Sequence, residues 1–368
     1  MLYNFGSTVL VHEITELIIT LSYEKIKGGK HMAITAKEIA KLAGVSRGTV
    51  DRALKGRPGI AEETKEKILE IAKKYEYKPN IIGKALVYSG KAIQVAVLLN
   101  SVGNPFFDEV KRGIFAAEEA FQSYGFQVTL SEFKGYSHTA LLDLLNALPE
   151  ETAQVILTPI CHPDVKAKLQ EMLSCGVRVV MLSAAIEDLK GAVYVGCDYL
   201  KSGRIAGRLT GLLSAGHANL FIMNGNAQHA GHAQRVEGLR AILNNEYPQI
   251  HLIGVGETDD DDDVAYRVMK DALKMHPEID FVYITAAGVN GTLRAIREHS
   301  RDVRVCTFDD TSVTREALCQ GSVLATICQQ PFEQGYQAVK VLFDSIVLKN
   351  AVQTANYTEL FVKVDQSL

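Results

Sequence analysis

Arg47, Gly48 and Arg52, flanked by the hydroxyls of Ser46 and Thr49, form a segment whose residue types suit contact with nucleic acid. A guanidinium can bond bidentately to O6 and N7 of guanine, the commonest specific contact in a major groove. Hydroxyls bond phosphate oxygens, which holds a protein in register without reading sequence. Arg47 and Arg52 are therefore candidates for base contact, with phosphate or solvent as the alternative. Ser46, Thr49, Thr64 and Tyr77 are candidates for phosphate contact.

Such side chains need rigid helices to present them. Thr35-Ala36-Lys37-Glu38 has the spacing of a capping box, in which a hydroxyl and a carboxylate satisfy the free amides of a helix start. Ile39, Ala40, Leu42 and Ala43 give that helix an apolar face, Gly44 permits a tight turn, Val45 anchors it, and Ser46 caps a second helix running to about Leu54. The spacing predicts a helix-turn-helix from Thr35 to Leu54. A third helix over 62–75 offers Ile68, Leu69, Ile71 and Ala72 to close a small core. Charge agrees with this division: Lys and Arg exceed Asp and Glu by 6 over residues 35–91, whereas acidic residues are in excess by 10 over 92–368. A basic module on an acidic body confines nucleic-acid contact to the N-terminal end.

Nothing in the chain points to catalysis, because it contains no P-loop, G-x-S-x-G elbow or H-E-x-x-H. Its six cysteines, Cys161, Cys175, Cys197, Cys306, Cys319 and Cys328, form no C-x-x-C pair, and they are expected as buried thiols in a reducing cytoplasm, without metal or cofactor. Asp259 to Asp263 lacks the glycine and terminal glutamate of a calcium loop. It is expected to be the acidic start of a helix beginning near Val264. No segment reaches the roughly 18 apolar residues of a membrane span, and Leu10 to Leu21, broken by His12, Glu13 and Glu16, lacks the basic region of a signal peptide. The expectation is a cytoplasmic chain without membrane contact.

Residues 1–31 are expected to be a non-native or disordered extension. One allowed back-translation of Lys27 to Met32 places a ribosome-binding sequence just before an ATG, so Met32 is read as the start. A genuine disordered arm is the alternative.

From Ile93 onward, short apolar runs alternate with amphipathic stretches. Ile93–Leu99, Gln154–Thr158, Val177–Leu182, Leu220–Met223, Phe281–Ile284 and Val303–Phe308 have strand length. Between them lie helical patterns over 108–124, 138–148, 203–213, 235–246, 264–274 and 291–299. This alternation predicts an α/β protein with parallel sheets, and its length predicts two lobes.

The core A-G-V-S-x-x-T-V-x-R of residues 43–52, with the later Y-x-P-N at 77–80, closely resembles the headpiece of the LacI (lac repressor) family. The resemblance implies a hinge that folds on the operator, with Asn80 at its start and Leu86 as a wedge in the minor groove; kinking by apolar wedges is a known device. Leu86 as a plain linker residue is the alternative. The DNA-binding set is then Thr35, Ser46, Arg47, Gly48, Thr49, Arg52, Thr64, Tyr77, Asn80 and Leu86. Gly83, where the family has alanine, costs the hinge helix about 1 kcal/mol of propensity. Ala61 replaces the usual serine cap of the third helix.

Beyond the headpiece, Asn104-Pro105-Phe106-Phe107, Val305 to Asp309, and Ala325 to Pro331 resemble landmarks of the periplasmic sugar-binding proteins that supply the family's effector domain. The implied fold is an N-terminal three-helix headpiece (32–79), a hinge helix or linker (80–91), and a two-lobed effector-binding and dimerisation domain of doubly wound parallel sheets (92–368). The implied effector site comprises Asn104, Phe106, Phe107, Thr158, Ser183, Arg235, Asp309 and Gln329. Aromatic faces stacking on sugar C–H groups and polar groups meeting hydroxyls suit a polyol. For three of these a plainer role is open: Phe107 as core, Asp309 as part of a turn with Thr311, and Arg235 in a surface ion pair.

Ser183-Ala184 stands where sugar binders place Asp-Arg, and Thr158 where an asparagine is frequent, which argues against a pentose bound in the usual way. His138, His162, His229 and His232 could recognise an acidic or phosphorylated sugar, but are expected to be solvent-exposed loop residues. The resemblance implies a homodimeric repressor of a carbohydrate operon, with double-stranded operator DNA and a small effector as partners. Dimer is favoured over tetramer because residues 357–368 follow what reads as the last strand, with no heptad tail. A transport-linked solute binder and a sugar enzyme are the rivals, disfavoured by the basic headpiece and the lack of an acid/base constellation.

Overall fold

The structure, a computed structural model, describes residues 36–54, 57–75, 92–226 and 229–367. These fall into two compact units, the headpiece and the body, each taken by itself. In the headpiece, α1 (Ala36–Ala43), α2 (Arg47–Leu54) and α3 (Glu62–Lys74) pack around Ile39, Ala40, Ala43, Val50, Ala53 and Ile68. Gly44 turns the chain in the left-handed region at φ 74°, which glycine adopts without a Cβ clash. Ser46 Oγ accepts the Thr49 amide at 3.1 Å and so caps α2. Ala61, by contrast, makes no side-chain cap for α3. Leu42 and Leu69, read as core, are 50% and 42% exposed. Each adjoins a buried residue, Ala43 or Ile68, and one residue of helix turns the side chain by about 100°, off the packed stripe.

The body has two sheets. The first has the order β11-β5-β4-β3-β1-β2, built from β1 (Ile93–Leu99), β2 (Phe126–Glu132), β3 (Gln154–Leu157), β4 (Arg178–Leu182), β5 (Val193–Gly196) and β11 (Ala355–Tyr357). The second has the order β12-β10-β9-β8-β6-β7, from β6 (Ala218–Asn224), β7 (Ile250–Glu257), β8 (Phe281–Ile284), β9 (Arg304–Phe308), β10 (Ala325–Cys328) and β12 (Phe361–Lys363). All pairings are parallel except β10 with β12, an antiparallel edge on otherwise parallel sheets. Of the two final strands, β12 lies within residues 357–368, the segment expected to follow the last strand, and β11 ends at the first residue of that segment. Each sheet carries apolar clusters on both faces, as parallel sheets require.

The helices between strands are α4 (Phe106–Phe121), α5 (His138–Asn146), α6 (Pro163–Ser174), α7 (Tyr199–Leu213), α8 (Ala230–Glu246), α9 (Asp262–Met275), α10 (Val289–Glu298), α11 (Ser312–Cys319) and α12 (Pro331–Phe343). In each lobe one helix pair crosses at reciprocal glycines. A Cβ on Gly113 would overlap the Phe332 carbonyl oxygen and one on Gly335 that of Val110, joining α4 to α12; Gly203 and Gly238 stand in the same relation to Arg235 and Leu200, joining α7 to α8. The chain passes between lobes after β5, after β10 and between β11 and β12. These crossings are tied together: Thr358 N donates to Gly196 O at 2.8 Å, and Thr358 Oγ1 to Gln329 O at 2.9 Å.

Not all cysteines are buried. Cys197, Cys306 and Cys328 are, but Cys161, Cys175 and Cys319 are exposed, since they sit in a loop or at the C-terminal ends of α6 and α11. Among the described residues no helix is long and apolar enough to cross a membrane.

Candidate effector cleft and DNA-contacting helix

The strand ends of the two sheets converge on a cavity of about 400 Å³. Asn100 follows β1, Ser183 follows β4, Asp259 and Asp260 follow β7, Ala286 follows β8, Asp309 follows β9 and Gln329 follows β10, and all of them line it. Ligands of α/β sheets sit at the carboxyl ends of strands for this reason of topology. Of the eight residues expected here, Asn104, Phe106, Phe107, Ser183, Arg235, Asp309 and Gln329 line the cavity. Thr158 does not: it is buried, with its hydroxyl unpartnered, at the end of β3.

Arg235 is the centre of the site. It is 2% exposed, with its guanidinium 3.6 Å from the Phe308 ring centre and 4.6 Å from that of Tyr199. Its Nη1 donates to Thr285 O at 2.5 Å, so it is no surface ion pair. Asp309, in the left-handed region at φ 66°, accepts Gln329 Nε2 at 2.9 Å. Desolvation raises its pKa to about 6 despite the opposing charge of Arg235. Cys197 Sγ contacts Gln329 Oε1 at 3.1 Å, and Gln334 Nε2 donates to Gln329 O at 2.8 Å. Gln329 therefore joins the cavity to the interlobe crossings. Ser183 lines the cavity, but its Oγ donates to Gln334 Oε1 at 2.7 Å, so this hydroxyl serves the crossing. Phe106 and Phe107, both buried, meet edge to face at 5.2 Å.

Two of the four histidines depart from the expectation of solvent-exposed loops. His229 and His232 are 9% and 6% exposed and stack at 4.2 Å against the cavity. His232 Nδ1 accepts the Asn226 amide at 3.0 Å. Burial, and then the charge of Arg235, lowers the His232 pKa to about 3; burial and His232 lower that of His229. Both rings are neutral at pH 7. His138 and His162, half-buried, stack at 3.7 Å with planes 8° apart, and Asp164 lies close by. Two parallel rings so stacked cannot both point an in-plane lone pair at one ion, and His162 Nδ1 already accepts the Asp164 amide at 3.3 Å.

Asp261 caps α9 as expected, accepting the amides of Asp263 and Val264 at 2.9 and 3.1 Å. The acidic run has a second part that sequence reasoning missed. Asp259 and Asp260 take φ of 52° and 57° and face the cavity. Asp260 Oδ1 accepts the Ala287 amide at 3.2 Å, and its Oδ2 accepts the Tyr136 hydroxyl. Tyr136 and Tyr199 were likewise missed, because β2, β5 and β7 were not recognised and residues just beyond them could not be placed at strand ends.

In the headpiece, Ser46, Arg47, Gly48 and Arg52 are exposed on α2, while Thr49 and Thr64 are half-buried. Ser46 Oγ and Thr49 Oγ1 lie 2.9 Å apart. Thr35, Tyr77, Asn80, Leu86, Gly83 and the first 31 residues lie outside the described residues.

Residues 35–80 match the family described as bacterial regulatory proteins, lacI family, and residues 95–349 match the periplasmic binding protein domain. The chain belongs to the LacI family. Catabolite control protein A of Priestia megaterium is 24% identical over 317 residues, 84% of this chain and 92% of that protein. The ribose operon repressor of Bacillus subtilis is 25% identical over 329 residues, 87% and 94% of the two chains. The body of this LacI-family protein superposes on GanP, a glucose-galactose binding protein from Geobacillus stearothermophilus, with a TM-score of 0.70 at 23% identity, covering 76% of this chain and 99% of that one. That likeness establishes the two-lobed fold.

Proposed function

We propose that this chain represses a carbohydrate-utilisation operon, binding a pseudo-palindromic operator as a homodimer and taking a small sugar-like effector between its lobes. One observation carries the reading. A helix-turn-helix with Arg47 and Arg52 exposed on its second helix shares a chain with a body whose strand ends converge on Arg235, Asp309 and Gln329. Relatives named for catabolite control and for a ribose operon support carbohydrate control, and matched relatives named as regulators favour regulation over catalysis. An effector bound to both lobes favours one lobe arrangement, and Gln329 carries that preference to the crossings. Ligand and operator are then linked by a reciprocal coupling free energy, typically about 1–3 kcal/mol. Ser183, engaged with Gln334, and the buried Thr158 support an effector other than a plain pentose.

The test is footprinting of the upstream DNA with full-length protein, with and without sugars that raise its melting temperature. Paired half-sites whose protection changes with the sugar are expected. A single unrepeated half-site would exclude the symmetric dimer, and protection indifferent to every stabilising sugar would exclude the effector role.

A further inference from the structure

We infer that the effector carries a protonated amine, held by Asp260, and is an amino sugar or a similarly hydroxylated amine; this rests on the effector reading above. The charge of the cavity is the first ground. Among the described residues its lining holds six aspartates, Asp259 to Asp263 and Asp309, against three cations, Lys134, Arg235 and Arg294. Lys134 and Arg294 are exposed at the rim, and Arg294 is already engaged by Asp263 at 3.6 Å and the Tyr266 ring at 3.9 Å. Deep in the site Arg235 alone faces Asp260 and Asp309.

Unpartnered groups are the second ground. His229 Nδ1, the side-chain oxygen of Asn100 and one donor, Arg235 Nε, belong to cavity-lining residues and are buried without a hydrogen-bond partner. His232 Nδ1 is taken by a backbone amide. Asp260 makes one hydrogen bond through each oxygen, and a carboxylate oxygen can accept more than one. Asp309 accepts Gln329 through Oδ1. The unmet capacity is mostly that of acceptors, which asks for a ligand rich in donors.

The competing chemistries fit less well. A carboxylate or phosphate would enter beside six aspartates, and the two histidines add no positive charge because burial holds them neutral. A neutral polyol would satisfy acceptors but leave two desolvated carboxylates against one guanidinium, an unbalanced charge that low-polarity surroundings penalise. An ammonium group at Asp260 supplies donors and balances that charge together. Burial raises the pKa of Asp260 above the usual carboxylate value, against the opposing effects of the Tyr136 hydrogen bond and Arg235.

Titration calorimetry of full-length protein against matched sets tests this: glucosamine, galactosamine and mannosamine, each beside its neutral parent, N-acetyl derivative and uronic acid. At least one amino sugar should bind tenfold or more tighter than its three counterparts. Asp260→Asn keeps an Oδ1 acceptor for Ala287 but loses the Oδ2 acceptor of the Tyr136 hydroxyl and should erase that preference, whereas Tyr136→Phe, which removes the same hydrogen bond and leaves the carboxylate, should retain it. A neutral, N-acetylated or acidic sugar that binds as tightly as its amine overturns the inference and leaves the sugar-effector reading standing; so does a preference that survives in Asp260→Asn. Binding of none of the sugars overturns both.

Discussion

The Tyr136 hydroxyl donates to Asp260 Oδ2 across the cleft, joining the loop after β2 in one lobe to the loop after β7 in the other. The same tyrosine packs edge-on against His229 at 6.2 Å and His232 at 6.5 Å. A side chain of the first lobe thus touches a carboxylate and two histidines of the second at the place where a ligand would enter.

Tyr136→Phe keeps the ring contacts and removes only the hydrogen bond. A hydrogen bond to a charged group contributes about 1.5–3 kcal/mol, so the lobes should separate more often. Hydrogen exchange followed by mass spectrometry should show faster exchange in the loops around 136 and 258–261, with the sheets unaffected. Equal exchange in both proteins would show that this bond does not hold the lobes together.

Acid should destabilise the protein before its surface carboxylates titrate. The folded pKa of His232 is about 3, below the usual 6.5 of histidine. Its contribution is present above pH 6.5 and lost as pH falls toward 3, and His229 shifts in the same direction. Asp309 has the opposite sign: its folded pKa, raised to about 6, stabilises the fold below about pH 4, and that stability is lost as pH rises through 6. Burial raises the pKa of Asp260 as well, with the sign of Asp309, but the two histidines carry the larger shifts, so the urea midpoint should fall from pH 7 to 4. One proton corresponds to a limiting slope of about 1.4 kcal/mol per pH unit. In His232→Gln that slope should be shallower; an unchanged slope would mean His232 is not the group taking up the proton.

Gly203→Ala sets helix propensity against packing. Alanine gains about 1 kcal/mol over glycine inside a helix, but the new Cβ would overlap the carbonyl oxygen of Arg235. Backbone cannot yield as a side-chain tip does, and overpacking costs about 1–3 kcal/mol or more. Packing should win, giving net loss in urea denaturation and weaker effector binding, since α8 carries Arg235. A more stable variant would show that the helices can part freely.

Arg47→Ala should cost about 1–3 kcal/mol on the operator and relax discrimination at one base pair per half-site. Mobility-shift titrations on operators substituted base by base will show this. Equal loss on every sequence would instead place Arg47 against phosphate.

Local signals made the headpiece legible. Gly44 and Ser46 act within a few residues of themselves, and the turn and cap they predict are present. The central strands were legible for a related reason: β8, buried at every position, reads as a continuous apolar run, β1 does so from Val95 to Leu99, and both match their expected bounds. The edge strands β2 and β7 alternate buried and exposed residues weakly, because one side of each meets solvent, and they were not recognised. With them went Tyr136 and Asp260, whose pairing links residues 124 apart in sequence. Whether His229 and Arg235 are surface or interior is also undetermined by type or spacing. Burial of a polar side chain depends on which strand ends and helices close around it, and only the tertiary structure brings those together.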